Sequence, residues 1–376
     1  MLKGLNSNYS ISVSQAVQIP VFVACLNFIA GSVSMLPVKL YREKDKEVTE
    51  ITDDSRLTLL NDDTGDLLSC CDMLYNLVRD YFLYGAGYIY VNNSFSKVKS
   101  LNYVRNQSVS VNINADPIFK QATFMVQGKR FYDFKFLKIV RNTDNGVTGR
   151  SIVEENSIPL STVYSSLIYE NNLVKSGGNK KGFLQSEKRV SKEVLDGIKK
   201  AWAELYANNE NNVMVLNEGL KFQESSNTSV ELQLNEHKKT NSEQICDIFG
   251  LSAEIISGKA TADEYVSAFR TACLPVVRKI ETELNKILLL ESEKPYMYFA
   301  FDLSEMLKGD ILKRYQAYQI GLQSNFLQPD EIRYREDLKP LGLDFIKLGL
   351  NDVLYNPKTK TVYTPNTDKT TTLTGE

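Results

Sequence analysis

The longest helical pattern in the 376-residue chain covers residues 262–290. It spans about four heptads, and Pro275 inside it is expected to kink the helix. A short hydrophobic strand at residues 296–301 separates it from a second helix at about residues 311–324. This order predicts a projecting hairpin, which is more stable when it packs against copies of itself. An ordinary helical hairpin in a monomer is the alternative, and composition alone leaves both open.

The preceding part of the chain mixes helical and strand-like patterns. Apolar residues at helical spacing predict helices over about residues 19–36 and 65–83, the second ending at Gly85-Ala86-Gly87. Helices first and then a mostly antiparallel sheet predict an α+β unit. The strand-like runs are rich in β-branched and aromatic residues and cover residues 37–41, 88–91, 108–113, 122–126 and 134–140.

The most apolar segment, residues 19–36, is expected to be a buried helix and not a membrane span. It is interrupted by Asn27 and two serines, and a span needs about 20 apolar residues. Pro20 and Pro37 fit the two limits of such a helix. The eighteen residues before it are polar, so no signal peptide is expected. We therefore expect a soluble protein that makes no membrane contact.

Two features near the C-terminus are predictable. Gln328 and Pro329, followed by two acidic residues, predict the start of a short helix, because proline and acids suit a first helical turn. The tail after Asn351 is rich in Thr, Lys and Asn and is expected to fray.

The charge balance excludes a surface that binds nucleic acid everywhere. The chain has 44 Lys and Arg residues against 46 Asp and Glu residues, a formal net charge of −2. A local basic path remains compatible with this balance. The hydrophobic content of 43% excludes wholesale disorder, and the length predicts two or three domains at about 150 residues each.

The sequence gives little support for a metal, cofactor or nucleotide site. The single histidine, His237, excludes two-histidine metal motifs, and it stands in a charged stretch. Five cysteines without a CxxC pair predict reduced, mostly buried thiols. The glycines at 85–87 and 177–182 lack the partners that bind phosphate, so we interpret them as turn glycines. We expect no metal and no cofactor, and a hydrolase using His237 with a nearby acid stays an alternative.

Several short motifs occur in a fixed order between Val21 and about Leu343. They are VACLNFIA at residues 23–30, LPVKLY at 36–41, LYGAGY at 83–88, VLNEGL at 215–220, GLSAEIISG at 250–258, FRTACLP at 269–275, IETELN at 280–285, KGD at 308–310 and QPDEIR at 328–333. In this order the chain resembles the portal proteins of tailed double-stranded DNA bacteriophages, in the branch typical of long-tailed lambdoid phages. Each motif is a degenerate packing signature, and the resemblance rests on their co-linear occurrence.

The resemblance implies an α+β portal fold that assembles as a ring, generally of twelve subunits, around a central channel. Its parts would be an α+β wing at residues 1–262, a stem helix at 263–290, a small β-containing clip at 291–310, a return stem helix at 311–326, a tunnel loop and helix at 327–340, and a minimal crown or flexible C-terminal tail at 341–376.

The resemblance also implies a conduit for packaging and ejecting double-stranded DNA at one capsid vertex. It implies no catalytic residue, because the translocating ATPase of this family is a separate terminase. The implied partners are further copies of the chain, the major capsid protein and scaffold, the terminase large subunit, the head–tail connector or adaptor, and double-stranded DNA bound without sequence specificity. The implied location is the portal vertex of the virion, with the host cytoplasm during assembly.

Two groups of residues are candidates for these contacts. The candidates for facing DNA are Arg270, Arg278 and Lys286 on the stem and Gln323, Ser324, Asn325 and Gln328 near the tunnel. The candidates for docking terminase or adaptor are the clip acids Glu291, Glu293 and Asp302. The competing explanation for each is an intersubunit salt bridge or a solvated, solubilising surface. The alternative function is an oligomeric scaffold without a channel.

Overall fold

The structure is a computed structural model, and it divides the chain into two compact units, Met1–Leu303 and Ser304–Glu376, which are described separately. The residues that it describes are 10–44, 47–94, 97–116, 118–175, 182–186, 196–197, 200, 220–224, 228–303, 311–336, 338–339, 341–342, 354–356, 361–364 and 367–372.

The described elements are numbered here along the chain. The helices are α1 (Val13–Ala16), α2 (Pro20–Ser34), α3 (Ser55–Asn61), α4 (Cys70–Tyr84), α5 (Ile152–Glu155), α6 (Ser157–Lys175), α7 (Thr228–Ile248), α8 (Ala253–Ile256), α9 (Ala262–Ala268), α10 (Leu274–Ile287), α11 (Ile311–Gln323) and α12 (Pro329–Arg335). The strands are β1 (Val38–Lys44), β2 (Glu47–Ile51), β3 (Ala86–Ser94), β4 (Lys97–Val104), β5 (Val109–Ile113), β6 (Ala122–Val126), β7 (Lys129–Tyr132), β8 (Phe136–Val140), β9 (Gly182–Ser186), β10 (Leu220–Glu224), β11 (Met297–Phe301), β12 (Leu354–Asn356), β13 (Thr361–Thr364) and β14 (Lys369–Thr372).

The apolar segment near the N-terminus forms the buried helix α2, as predicted. Pro20 occupies its first turn, where a missing N–H costs nothing, and α2 packs against α4. Phe22 and Phe82 both meet the ring of Phe249 just beyond α7, with centroids 5.2 and 5.6 Å apart. Among the described residues, no helix has the length and apolar character needed to cross a membrane.

The glycine turn after α4 has a packing role, as predicted. Gly85 adopts the left-handed conformation at the C-terminus of α4 with φ of 81°. Gly87 lies so close to α4 that a Cβ atom there would be 2.3 Å from the backbone oxygen of Leu77. The two glycines therefore let β3 turn back directly along the helix that precedes it.

The two sheets formed by β3 to β8 are antiparallel, as predicted. One sheet has the strand order β4-β3-β8 and a second has the order β5-β6-β7. They share a core of aromatic rings, in which Phe124 and Phe136 stack with centroids 4.8 Å apart and Tyr88 packs edge-on against both. The second sheet is thereby attached to the first through one face.

A third sheet joins parts of unit 1 that are far apart in sequence. Its order is β11-β1-β2, so the strand of the predicted clip pairs with the strand that follows α2. The sequence analysis did not predict this pairing. It places β11 in the same sheet as a strand of the predicted wing.

The long helical pattern forms one continuous run from α9 to α10 through a π-helical segment, Phe269–Cys273. At its end, the N–H of Leu274 donates to the carbonyl of Phe269, five residues back. Pro275 lacks an N–H and crowds the preceding turn of a regular helix, so a wider turn just before it relieves both problems. The sequence predicted a kink at Pro275, and the structure has a π segment directly before this proline.

Unit 2 contains a helical pair and a small sheet. α12 begins as predicted, with Pro329 in its first turn and the N–H of Gln328 bonded to the carboxylate of Glu331 at 2.9 Å. Glu336 joins α12 to α11, accepting hydrogen bonds from Arg314 at 2.9 Å and from Tyr318 at 3.0 Å. Strands β12, β13 and β14 form a three-stranded antiparallel sheet, so the expectation of a fraying tail is wrong for these segments.

The glycine packing gives the first prediction. Gly87→Ala should lower the free energy of unfolding by about 2–3 kcal/mol, because the new methyl group would overlap the α4 backbone. The matched control is Gly31→Ala in α2, where a Cβ meets nothing within 4 Å. This control should raise stability by about 0.5–1 kcal/mol through helix propensity. Urea denaturation measures both values, and equal effects of the two substitutions would contradict the packing.

The cysteines give a second prediction. Of the five thiols only Cys71 is exposed, and burial raises the pKa of Cys70 to about 11 and that of Cys273 to about 12. A thiol-specific reagent at pH 7.5 should therefore modify one thiol per folded chain quickly and all five after unfolding. Rapid modification of a second thiol in the native protein would show that a buried cysteine is accessible.

Candidate functional site

The helix α10 has one buried face and one exposed face. Val276, Val277, Ile280 and Leu284 are buried on the first face. The three stem candidates Arg270, Arg278 and Lys286 are exposed, and the structure places them on one continuous helical run. The sequence analysis thus selected residues that lie outside the core.

Two of these exposed cations have an acidic partner on their own helix. Arg278 pairs with Glu281 at 2.9 Å, and Lys286 pairs with Glu283 at 3.0 Å. Both pairs are three residues apart, so they lie on neighbouring positions of the helix surface. The charge of each of these two exposed cations is therefore balanced by an acid whose own side chain is largely out of the solvent.

The edge of β11 is held by polar side chains of α10. Asn285 accepts a hydrogen bond from the N–H of Phe299 at 2.6 Å and donates one to its carbonyl at 3.1 Å. Glu281 accepts a further bond from the N–H of Phe301 at 2.9 Å. These side chains satisfy backbone groups on the side of β11 that does not face β1. β11 is therefore fixed to α10 as well as to β1.

A second set of bonds centres on Arg56, at the start of α3. Its guanidinium donates to Asp54 Oδ2 at 2.7 Å, to Glu293 Oε2 at 2.7 Å and to the carbonyl of Leu288 at 2.9 Å. It also lies 5.6 Å from the centroid of the Phe299 ring. We call this group of residues the Arg56 clamp. It connects α3, the C-terminal end of α10 and the turn before β11.

The Arg56 clamp lowers the pKa values of its two acids. Hydrogen bonds from the Arg56 guanidinium lower the pKa of Asp54 and the pKa of Glu293 below their usual values. The N–H of Leu290 adds to the shift at Glu293 by bonding its carboxylate at 2.9 Å. Both acids therefore stay ionised and paired throughout the neutral range.

The three predicted docking acids are in different surroundings. The side chain of Glu291 is 89% exposed and pairs only with the nearby Lys294. Glu293 belongs to the Arg56 clamp, and Asp302 pairs with Lys39 of β1 at 3.1 Å. Of this group, Glu291 is the acid whose carboxylate is open to a partner. The predicted clip residues 304–310 lie outside the described residues.

The four tunnel candidates lie in and next to the turn between α11 and α12. Gln323, Ser324 and Asn325 are exposed, and Asn325 has a left-handed φ of 63°. Gln328 is half-buried, and its backbone N–H donates to the carboxylate of Glu331 at 2.9 Å at the start of α12.

No cofactor or metal centre emerges from the described part of the chain. Within it, no group of three or more His, Cys, Asp or Glu side chains is placed to hold a metal ion. The side chain of His237 in α7 lies outside the described residues. Arg56 and Asn285 were not predicted as functional residues. No local pattern marks Arg56, because its partners in the turn lie more than 230 positions further along the chain.

The Arg56 clamp gives a third prediction. Arg56→Met should destabilise the chain by about 2–4 kcal/mol, because it leaves two half-buried carboxylates and a helix carbonyl without their donor. The matched control is Arg150→Met, whose exposed pair with Asp144 should be worth no more than about 1 kcal/mol. Thermal and urea unfolding of the two variants measure the difference.

The pH dependence tests the same clamp. The folded pKa values of Asp54 and Glu293 lie below the unfolded values of about 3.9 and 4.3. The stabilisation is therefore complete above about pH 5 and is lost as the pH falls through the folded values. The gap in melting temperature between wild type and Arg56→Met should close below about pH 4. A gap that is independent of pH would contradict the clamp.

Comparison with known proteins identifies the fold and the family. A sequence model of the family "Phage portal protein" matches residues 20–337. The "Probable portal protein" of Streptomyces phage phiC31 is 21% identical over 366 residues, covering 89% of this chain and 78% of the relative.

Solved structures show the same fold. An HK97 family phage portal protein from Corynebacterium diphtheriae superposes with a TM-score of 0.59 at 14% identity, covering 78% of this chain and 95% of that chain. A chain from the neck of an empty gene transfer agent particle gives a TM-score of 0.60 at 17% identity, covering 85% and 90%. Because the family model spans most of the sequence and the fold agrees, this chain belongs to the phage portal protein family.

Proposed function

We propose that twelve copies of this chain form a ring around a channel at one capsid vertex, through which double-stranded DNA is packaged and ejected. The family match over residues 20–337 carries this proposal. A neck of a native gene transfer agent particle computed with C12 symmetry supports the subunit number, with a TM-score of 0.56 at 16% identity. In this proposal the protein is a structural part of the virion and is made and assembled in the host cytoplasm.

The exposed face of α10 suits a channel wall that lets DNA slide. Strong binding to phosphates would require many unpaired cations, because each cation that neutralises a phosphate releases a counterion from the DNA and so adds to the affinity. Here Arg278 and Lys286 are each paired with an acid. We propose that Arg270 and these two residues face the DNA backbone, making weak contacts without sequence readout. Gln323, Ser324, Asn325 and Gln328 would contribute neutral polar contacts near the constriction.

The predicted clip would dock the terminase large subunit and the head–tail connector. Glu291 is the exposed acid that would meet a basic partner surface. Glu293 and Asp302 would act by holding the turn and β11 in place, because both are already paired within the chain. The capsid protein and scaffold would surround the ring. We infer no enzymatic step for this chain.

The ring gives a fourth prediction. The purified full-length chain should form rings with a central hole in negative-stain images, and particles carrying it should package DNA. His237→Ala should leave ring formation and DNA packaging unchanged, since no histidine chemistry is involved. Compact monomers at every concentration would contradict the portal proposal. Rings whose particles assemble normally but never contain DNA would instead favour a scaffold.

A further inference from the structure

Two buried cysteines of unit 1 lie side by side, although they are 221 positions apart in the sequence. Cys25 belongs to α2 and Cys246 to the last turn of α7, and the two helices pack against each other. Cys25 is 0% exposed and Cys246 is 1% exposed, and their sulfur atoms are 3.7 Å apart. We call these two residues the Cys25–Cys246 pair.

The packing around the Cys25–Cys246 pair holds the two helices together at this point. Phe22 stands three residues before Cys25 and Phe249 three residues after Cys246, and the two rings meet edge-on with centroids 5.2 Å apart. The carbonyl of Cys246 accepts hydrogen bonds from the N–H groups of Phe249 at 3.0 Å and of Leu251 at 2.9 Å. The turn that ends α7 therefore fixes the backbone at Cys246, while the ring contact fixes its approach to α2.

The hydrogen bond between the two thiols makes them chemically unequal. The thiol of Cys25 donates to the sulfur of Cys246, which favours the thiolate form of Cys246. Burial raises the pKa of both thiols, and the bond from Cys25 opposes this rise at Cys246. Cys246 is therefore the sulfur that attacks an oxidant, and Cys25 is the neighbour that can complete a disulfide.

We propose that the Cys25–Cys246 pair is a redox-sensitive site that closes to a disulfide when it meets a peroxide. The thiolate of Cys246 attacks one oxygen of hydrogen peroxide, the O–O bond breaks, and a sulfenic acid and a hydroxide are formed. The thiol of Cys25 then attacks the sulfenic sulfur, so the S–S bond forms and water leaves. The hydroxide takes up the proton that Cys246 lost, so two thiols are oxidised and one peroxide is reduced to two waters.

The disulfide requires a small movement and a route for the oxidant. The sulfurs must come about 1.7 Å closer than their present 3.7 Å, because a disulfide bond is about 2.05 Å long. Within residues 238–248 of α7, every side chain except Ile245 and Cys246 is exposed or half-buried. A stretch held by so few buried side chains opens locally at a lower free energy than a packed core, which admits a molecule as small as hydrogen peroxide.

The adjacent thiols of Cys70 and Cys71 are a poorer pair, although their sulfurs are 3.9 Å apart. Consecutive Cα atoms are about 3.8 Å apart, which is less than the separation of about 4.4–6.8 Å that a disulfide spans without strain. Cys273 is 0% exposed like Cys25, and its hydrogen-bond neighbour is Ser32. The geometry therefore singles out Cys25 and Cys246 among the five cysteines.

The redox-sensitive pair would act after assembly. A link between positions so far apart in the sequence stabilises the fold chiefly by restricting the unfolded chain. Resting on the proposed function, the pair stays reduced in the host cytoplasm and closes once the particle is released into an oxidising medium. The chain can then fold and assemble without the link and gain stability in the finished particle.

The test uses the full chain, oxidised with hydrogen peroxide under native conditions at pH 7.5. After the remaining thiols are blocked, peptide mapping by mass spectrometry should find Cys25 linked to Cys246, and reduction should separate the two peptides. The oxidised chain should melt about 5 °C higher than the reduced chain. This rise should be absent in Cys25→Ala and retained in the matched control Cys273→Ala, which removes an equally buried thiol.

The mapping of the wild type needs no variant, so the test stays decisive if Cys25→Ala fails to fold. Free thiols at both positions after oxidation overturn the proposal, as does a disulfide confined to Cys70 and Cys71 or to links between chains. Ring formation is scored separately by negative-stain imaging. A chain that forms the disulfide but no rings refutes the portal function and leaves the redox-sensitive pair standing, and rings whose two thiols stay free do the reverse.

Discussion

The guanidinium of Arg56 joins three segments of the chain: the start of α3, the C-terminal end of α10 and the turn before β11. A planar group with five donors suits this position, because it bonds two carboxylates and a carbonyl at once. The carbonyl belongs to the end of a helix, where partial negative charge accumulates. Together with Asn285 and Glu281, this side chain fixes the course of the chain from α10 into β11.

Side chains also complete the sheet that contains β11. Asn285 bonds both the N–H and the carbonyl of Phe299, and Asn61 does the same for Val38 of β1. Each asparagine thus supplies one donor and one acceptor where a further strand would have supplied them. Glu281 bonds β11 with one oxygen and Arg278 with the other. The exposed face of α10 is thereby linked to the strand packed against its other side.

Local features of the sequence predicted much of the fold. Helices α2, α4 and α12, the glycine turn after α4 and the antiparallel sheets follow from spacing, capping residues and glycine conformations within a few positions. The pairing of β1 with β11 and the partners of Arg56 could not be predicted from one sequence, because they depend on contacts between distant segments. The stem candidates are cations of a helix that the family resemblance assigned to the stem. The exposure of Tyr132 and Phe134 could not be predicted from the sequence, since buried strands are also rich in aromatic residues.

The π segment before Pro275 also sets the angular phase of the exposed residues. In a regular α-helix each residue turns by about 100°, so Arg270 and Arg278, eight positions apart, would point about 80° away from each other. The wider turn holds one extra residue, which reduces this angle to about 20°. The same inserted residue therefore does two things: it accommodates the proline in the helix, and it aligns two cations along one line of the helix surface.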